Sequence, residues 1–408
     1  TKEDVPLARA GPLPALFFSF PIWLFGFTKA PIFIVSSQCA FLFIMGLAAR
    51  TLIERFQGNK NVVQALVIFN PNLIGSSHLA QSDMLFAFIL CLLLLLINHI
   101  FFRPARLSLF TFVLIGVIAG LLPLARPFST YFLLLLPIVI LFAYLLFSGR
   151  TVKNTITLAK YLILSTAIAT SVLLPWMIRN YQTFGTLSMT KEEGTMFEQQ
   201  FEFLLTHSGV DRTKWEDLKR AAYRKHGEED CFDDSSHLSC RDLKTKIFFH
   251  AIIDQPKTNI AKAFISSWTG LFLSGGTTSI VNYLGVQENT PFYFSGTYKW
   301  VESSKSYILA LYNESKTYFL LFILCSGFAI LTRIIGILGF FLSLRMRGLF
   351  PLTTVYFYTV ISFVGLYLFM TTSRLRIPLE IILMLYSTVG ITAVWQLIKT
   401  QWAQVRIR

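Results

Sequence analysis

Asp83 is one of only five acidic residues outside positions 179–316, and it stands directly before the apolar run MLFAFILCLLLLLI. A charge within a bilayer costs at least ~2.5–3.5 kcal/mol, so an acid at the edge of such a run is a functional candidate. Two compatible roles are open. Ser82 or Asp83 caps a helix beginning near Met84, worth about 1 kcal/mol, or the carboxylate faces a cavity. His78, five residues upstream, is placed to orient that acid, to meet a phosphate or to be a plain polar loop residue. One His and one Asp do not define a metal site, and the sequence shows no metal-ligand cluster.

Arginine is the second chemical signal. LARP carries Arg126, PWMIRNYQTFG carries Arg179, and SRLRIPLE carries Arg374 and Arg376, each at the end of an apolar run. A guanidinium binds phosphate in bidentate fashion. Snorkelling to lipid headgroups is the alternative for any single one, but four at the ends of three runs favour anion binding. Glu380 lies one turn beyond Arg376 and is spaced to pair with it. Arg333 falls inside an apolar run, where it is open to snorkelling, to pairing with a helix neighbour or to marking a span boundary, and it is left unassigned.

These residues need a membrane scaffold. The chain has 408 residues, 54% hydrophobic and 14% charged, with 40 Phe, so it reads as a polytopic membrane protein rather than a large soluble core. At about 20 apolar residues per crossing, nine spans are expected: 31–50, 62–78, 84–102, 107–125, 128–147, 156–177, 318–343, 349–371 and 378–398. The stretch Gly11–Phe27 is apolar but short and broken by prolines, as suits an interfacial helix. The fold class is therefore an all-α transmembrane bundle. It divides into an N-terminal membrane region (1–178), a large polar exterior segment (179–316) and a C-terminal membrane region (317–408).

The net charge of +14 resides outside 179–316. Arg50, Arg55 and Lys60, then Arg103 and Arg106, Arg150 and Lys153, Arg345 and Arg347, and Lys399, Arg406 and Arg408 fall on one side of the nine-span scheme. The positive-inside rule makes that side cytoplasmic, with the C-terminus there. Basic residues confined to short inter-helix loops argue against nucleic acid as a partner. A chain that begins outside without a signal peptide is expected to lack a preceding helix.

Within 179–316, helices are expected over Thr213–Gly227 and over Lys244–Phe272, the latter broken near Pro256 and suited in its second half to a membrane surface. Gly275 and Gly276 read as a mobile loop. Cys231 and Cys240 are nine apart and, outside the cell, would form a disulfide or stand as two free thiols. Cys39, Cys91 and Cys325 lie in apolar segments and read as packing residues.

The order of RAGPLPALFFSFPIWLFG, NPNLIGSSHLAQSDMLFAF, LARPFSTYFLLLLP, PWMIRNYQTFG, IIDQPKTNIAKAFISSW and SRLRIPLEIILMLYSTVGI resembles bacterial family 39-like glycosyltransferases. These belong to the GT-C superfamily, which includes protein mannosyltransferases and aminoarabinose transferases. The resemblance implies transfer of a sugar from a polyprenyl-phosphate donor, typically undecaprenyl phosphate, at the periplasmic face of the bacterial inner membrane. It matches Asp83 to an acid at the start of a later span, Arg126–Pro127 to an Arg-Pro pair, and Arg374 or Arg376 to a basic residue before the last span. The resemblance implies a general base in the first exterior loop, most of which is expected to lie upstream of this sequence. Asp4, close to the proline-rich segment, is carried as a second catalytic candidate.

On this reading Asp83 activates the acceptor or organises the site. Arg126, Arg374 and Arg376, joined by Arg179, hold the donor phosphate. The apolar helices and the Gly11–Phe27 segment cradle the lipid. The acceptor is an envelope component: lipid A, a polysaccharide or a protein. No nucleotide-binding glycine motif is present, as suits a lipid-linked donor; some members of the wider superfamily use a divalent metal. The rival readings are a lipid-linked sugar transporter, or flippase, and a non-catalytic membrane receptor.

Overall fold

A computed structural model describes residues 11–102, 108–146, 152–185, 187, 189, 193–208, 214–226, 239–277, 280, 312, 315–346, 348–366, 369 and 373–407. Among them every regular element is helical. In chain order these are α1 (Pro12–Ile53), α2 (Lys60–Ile68), α3 (Pro71–Ser77), α4 (Ser82–Phe102), α5 (Leu109–Ala125), α6 (Ser129–Leu145) and α7 (Val152–Phe184). Then come α8 (Glu193–His207), α9 (Trp215–Lys225), α10 (Ser239–Ile253), α11 (Lys257–Leu273), α12 (Lys316–Arg345) and α13 (Phe350–Leu366). A 3₁₀ helix (Ser373–Leu379) leads into α14 (Glu380–Ile407).

Five of the described segments are long and apolar enough to cross a membrane: Pro12–Phe56, Ser82–Phe101, Val152–Phe184, Lys316–Arg345 and Arg374–Trp402. The 17-residue helices α5, α6 and α13 are apolar but shorter, reaching about 25 Å at 1.5 Å per residue. Leu134, Ile138, Ile163, Leu331 and Ile334 point outward, a surface suited to lipid and not to water. The chain is an integral membrane protein.

The expected span 62–78 is not one helix. Pro71 has no backbone N–H and drives the residue before it out of helical conformation. Asn70 accordingly sits at φ −68°, ψ 116° and caps α3, its side-chain oxygen accepting from the amides of Asn72 and Leu73 at 2.9 and 3.2 Å. The result is two short helices, α2 and α3, in place of a single crossing. The first segment differs as well. Gly11–Phe27 and the expected span 31–50 join into α1, which breaks at Gly26 with φ 74°, ψ 167°. That backbone region is open essentially to glycine alone. Across the break Phe25 stacks on Phe33, ring centres 3.7 Å apart.

Helix contacts in the bundle depend on small residues, as lipid-embedded helices require. In α5, Gly116 and Gly120 leave room for α7; a Cβ there would lie 2.7 and 2.8 Å from the Ser165 and Ala169 carbonyl oxygens. A Cβ at Gly339 of α12 would overlap the Tyr386 carbonyl of α14, and one at Gly390 the Ile335 carbonyl. The Ser387 hydroxyl donates to the Thr332 carbonyl at 2.7 Å across the same contact.

The region expected to be an exterior loop contains α8 to α11, which enclose a second, smaller core of Phe201, Leu204, Leu205, Tyr223, Ile247, Phe248 and Ala263. The expected break near Pro256 falls between α10 and α11, with Pro256 at the N-cap. Lys219 joins α9 to α8 through Glu202 at 2.8 Å and Glu198 at 3.0 Å. Burial disfavours the Lys219 charge, but the hydrogen bonds to Glu202 and Glu198 outweigh it and raise its pKa above the ordinary lysine value. α11 does not simply lie on a surface, because Ala263 belongs to the smaller core and Leu271 to the main one. Nor is the Gly275–Gly276 turn loose. Gly275 packs on the backbone of Cys325 and Gly276 on Asn72, and both are buried.

Candidate active site

Two carboxylates, each bound by two arginines, organise the junction of α3, α4, α5, α12 and the 3₁₀ helix. At the first, Asp83 lies in the opening turn of α4 and is fully buried. Its Oδ1 pairs with Nη2 of Arg126, and its Oδ2 accepts from Nε of Arg374 at 2.5 Å. Arg126 reaches it because Pro127 forces an extended backbone at Arg126 (φ −145°, ψ 109°), ending α5 at Ala125. The Ser129 hydroxyl donates to the Arg126 carbonyl at 2.9 Å and holds that turn. Arg374 arrives on the 3₁₀ helix, 291 residues further along the chain. The Arg126 side chain is 10% exposed and that of Arg374 is 46% exposed, so Arg374 forms the accessible edge.

The cluster of Asp83 with two arginines carries one net positive charge. An ionised carboxylate offers about four acceptor positions and a guanidinium five donors, so the pairing is compatible with a further anion on the arginines. Asp83 bridges the two arginines through its two oxygens, and organisation of the arginines is the role its geometry fits.

At the second centre Glu380 is also fully buried. Its Oε1 accepts from Arg376 Nε at 2.6 Å and Asn72 Nδ2 at 3.2 Å; its Oε2 accepts from Arg333 Nη2 at 2.7 Å and Asn70 Nδ2 at 2.9 Å. All four acceptor positions are filled, which makes Glu380 a structural joint. The spacing of Arg376 and Glu380 in SRLRIPLE foreshadows one of these bonds. Arg333 finds its partner here, and Asn70 and Asn72, which pattern reading passed over, complete the set. The only sequence signal for the asparagines is the helix-breaking NPN at 70–72.

The expected phosphate-binding arginines thus separate. Arg126 and Arg374 meet at Asp83. Arg376 is 1% exposed and faces Glu380, away from any open surface. Arg179 lies on α7, where it donates to Asn180 Oδ1 at 3.0 Å and stacks over Trp176 and Phe184 at 4.9 and 5.3 Å. His78 ends α3 with Nδ1 2.8 Å from the Ile74 carbonyl oxygen and 3.3 Å from the Ser77 hydroxyl. Asp4 lies outside the described residues, as do Cys231 and the side chain of Cys240. Among the described residues no group of three or more His, Cys, Asp or Glu side chains is arranged to hold a metal.

An apolar cleft of about 450 Å³ opens between α1 and the start of α4. Leu13, Phe17, Phe20 and Phe25 line it from the first limb of α1, Phe33 from the second, and Leu85 from α4. Leu85 lies two residues beyond Asp83. Gly11, just before α1, packs against the Leu124 carbonyl, two residues before Arg126.

The sequence matches no protein-family model and no curated protein. Two solved structures share its fold. Archaeal oligosaccharyltransferase AglB from Archaeoglobus fulgidus, in complex with an inhibitory peptide and a dolichol-phosphate, aligns with a TM-score of 0.51 at 15% identity. The oligosaccharyltransferase from the same organism in the apo form aligns with a TM-score of 0.52 at 14% identity. Each alignment covers 98% of this chain and 44% of the other, so the chain spans less than half the length of these proteins. Over 98% of its length the chain has the fold of the matching part of these oligosaccharyltransferase structures.

Proposed function

We propose that the protein is a membrane glycosyltransferase that moves a sugar from a polyprenyl-phosphate donor to an envelope acceptor at the periplasmic face. The observation that carries this reading is the convergence of Arg126 and half-exposed Arg374 on buried Asp83, on a helix whose Leu85, two residues further on, lines an apolar cleft. The pairing of a cationic edge with an apolar slot suits a ligand that joins a phosphate to a hydrocarbon chain. The fold is shared with a protein whose structure contains dolichol-phosphate.

Departure of a lipid phosphate from a sugar develops negative charge on the phosphate oxygens. Fixed guanidinium groups stabilise that charge without reorganising. Asp83 holds Arg126 and Arg374 in register, and the cleft between the limbs of α1 takes the start of the lipid chain. The acceptor nucleophile is deprotonated by a group other than Glu380, whose acceptor positions are full. The transporter reading needs charge along a path through the bundle. The interior charge of Arg333 is instead bound to Glu380 at 2.7 Å.

The test uses the full-length protein in proteoliposomes with a panel of undecaprenyl-phosphate sugars and an envelope extract, following release of undecaprenyl phosphate. Arg374→Gln and Asp83→Asn are expected to lower release at least tenfold at unchanged protein level, consistent with loss of one positioned charge-stabilising donor. Release at the wild-type rate from both variants would refute this site. Labelled donor crossing the bilayer without release would favour the transporter, and neither event with any donor would favour the receptor.

A further inference from the structure

We infer that Arg376 is a positioning residue that clamps the end of α11 and thereby sets the place of Arg374. The inference rests on the reading that Arg374 meets a lipid phosphate. Arg376 is buried, and its guanidinium spends its three nitrogens in three directions. Nε donates to Glu380 Oε1 at 2.6 Å, Nη2 donates to the Ser274 carbonyl at 2.7 Å, and Nη1 donates to the Leu271 carbonyl. Leu271 lies in the last turn of α11, and Ser274 is its C-cap. The final carbonyls of a helix lack intrahelical partners and carry the negative end of its dipole. Arg376 supplies both the donors and the positive charge that this end lacks.

α11 spans two bodies. Ile260, Ala263 and Phe264 belong to the smaller core formed with α8 and α10, whereas Trp268, Leu271 and Phe272 belong to the main core. The clamp acts on the inner end of this rod. Arg374 and Arg376 share one 3₁₀ helix with three residues per turn, so two positions apart they point roughly 120° from one another. Arg374 therefore faces Asp83 while Arg376 faces α11. Glu380 fixes the orientation of Arg376 and is itself fixed by Asn70, Asn72 and Arg333. A displacement of the α8–α11 unit has a direct covalent and hydrogen-bonded route to the accessible arginine.

The test compares wild type, Arg376→Gln and Arg376→Lys as full-length protein in nanodiscs. One readout is amide hydrogen exchange of residues 257–273 without ligand; the other is the Kd for undecaprenyl phosphate. In Arg376→Gln the amides at the end of α11 are expected to exchange roughly tenfold faster or more, as loss of charge-assisted hydrogen bonds implies. Exchange in α4 and α14 should stay as in wild type, and Kd should rise about tenfold. Lysine keeps the charge beside Glu380 but donates from one nitrogen in place of a planar fork, so Arg376→Lys should loosen α11 with a smaller change in Kd. If Arg376→Gln loosens α4 and α14 as well, the lysine variant decides. Wild-type exchange over 257–273 in both variants overturns the clamp, and loosened α11 with unchanged Kd overturns its link to Arg374. Failure of wild type to bind the lipid, with α11 still loosened in the variants, would count against the phosphate reading and not against the clamp.

Discussion

Replacing Glu380 by glutamine removes one negative charge from a site where two arginines are 8% and 1% exposed. The amide keeps the shape of the carboxylate but turns one acceptor into a donor, facing groups that are all donors. Removing one partner of a buried ion pair costs about 3–5 kcal/mol, because the remaining charge is left uncompensated. An independent count gives a similar figure: two charge-assisted hydrogen bonds at about 1.5–3 kcal/mol each. We expect Glu380→Gln to lower stability by about 3–5 kcal/mol, read as the shift in a reversible SDS-unfolding transition in mixed micelles followed by circular dichroism. Glu54→Gln is the matched control. Its partner Lys60 and its own side chain are about half exposed, so solvent screening leaves no resolvable shift expected in the same assay. Combining Glu380→Met with Arg333→Met should recover part of the deficit, since an apolar pair can replace a buried ionic one at little cost. A loss below about 1 kcal/mol for Glu380→Gln would refute the assignment of Glu380 as the joint of the bundle.

Two further substitutions probe the frame. Gly339→Ala should cost about 1–3 kcal/mol in the same unfolding assay, because its new methyl overlaps the Tyr386 carbonyl and must push α12 from α14. Asn70→Ala removes both the cap of α3 and a bond to Glu380, for an expected loss of about 2–4 kcal/mol. A loss near 1 kcal/mol would mean that the bond to Glu380 contributes nothing beyond the cap.

Much of the frame is legible in the sequence because lipid imposes a simple rule: long apolar runs become helices. The ends of those runs are legible too where a local rule operates, as at Arg126–Pro127 and Pro256. Residues 62–78 show where the hydropathy signal misleads. Apolar content there is high enough for a crossing, yet Asn70–Pro71 decides the backbone. The site was only half readable. Asp83 and the arginines stand out by charge against an apolar background, but charge alone does not say which of them meet. In SRLRIPLE only the pairing of Arg376 with Glu380 separates Arg376 from Arg374. The rest of their difference arises because a 3₁₀ helix turns them to different sides and because α11 ends beside one of them. Arg333 and Glu380 are 47 positions apart, and nothing local in either segment names the other. The expected span 156–177 puts Arg179 past its end, but α7 continues to Phe184, and the ring faces of Trp176 and Phe184 receive Arg179 on its own helix.

The break in α1 has a consequence for the shape of the cleft. Six of its nine lining residues, Leu13, Leu16, Phe17, Phe20, Pro21 and Phe25, precede Gly26, and Phe33 and Ser37 follow it. The two jaws are thus joined by the torsions of a single residue without a side chain. Substitutions among the phenylalanines change the upholstery of the slot, but its angle of gape belongs to Gly26. On the proposed function, the hydrocarbon chain of the donor would meet an aperture whose calibre is written in one φ/ψ pair.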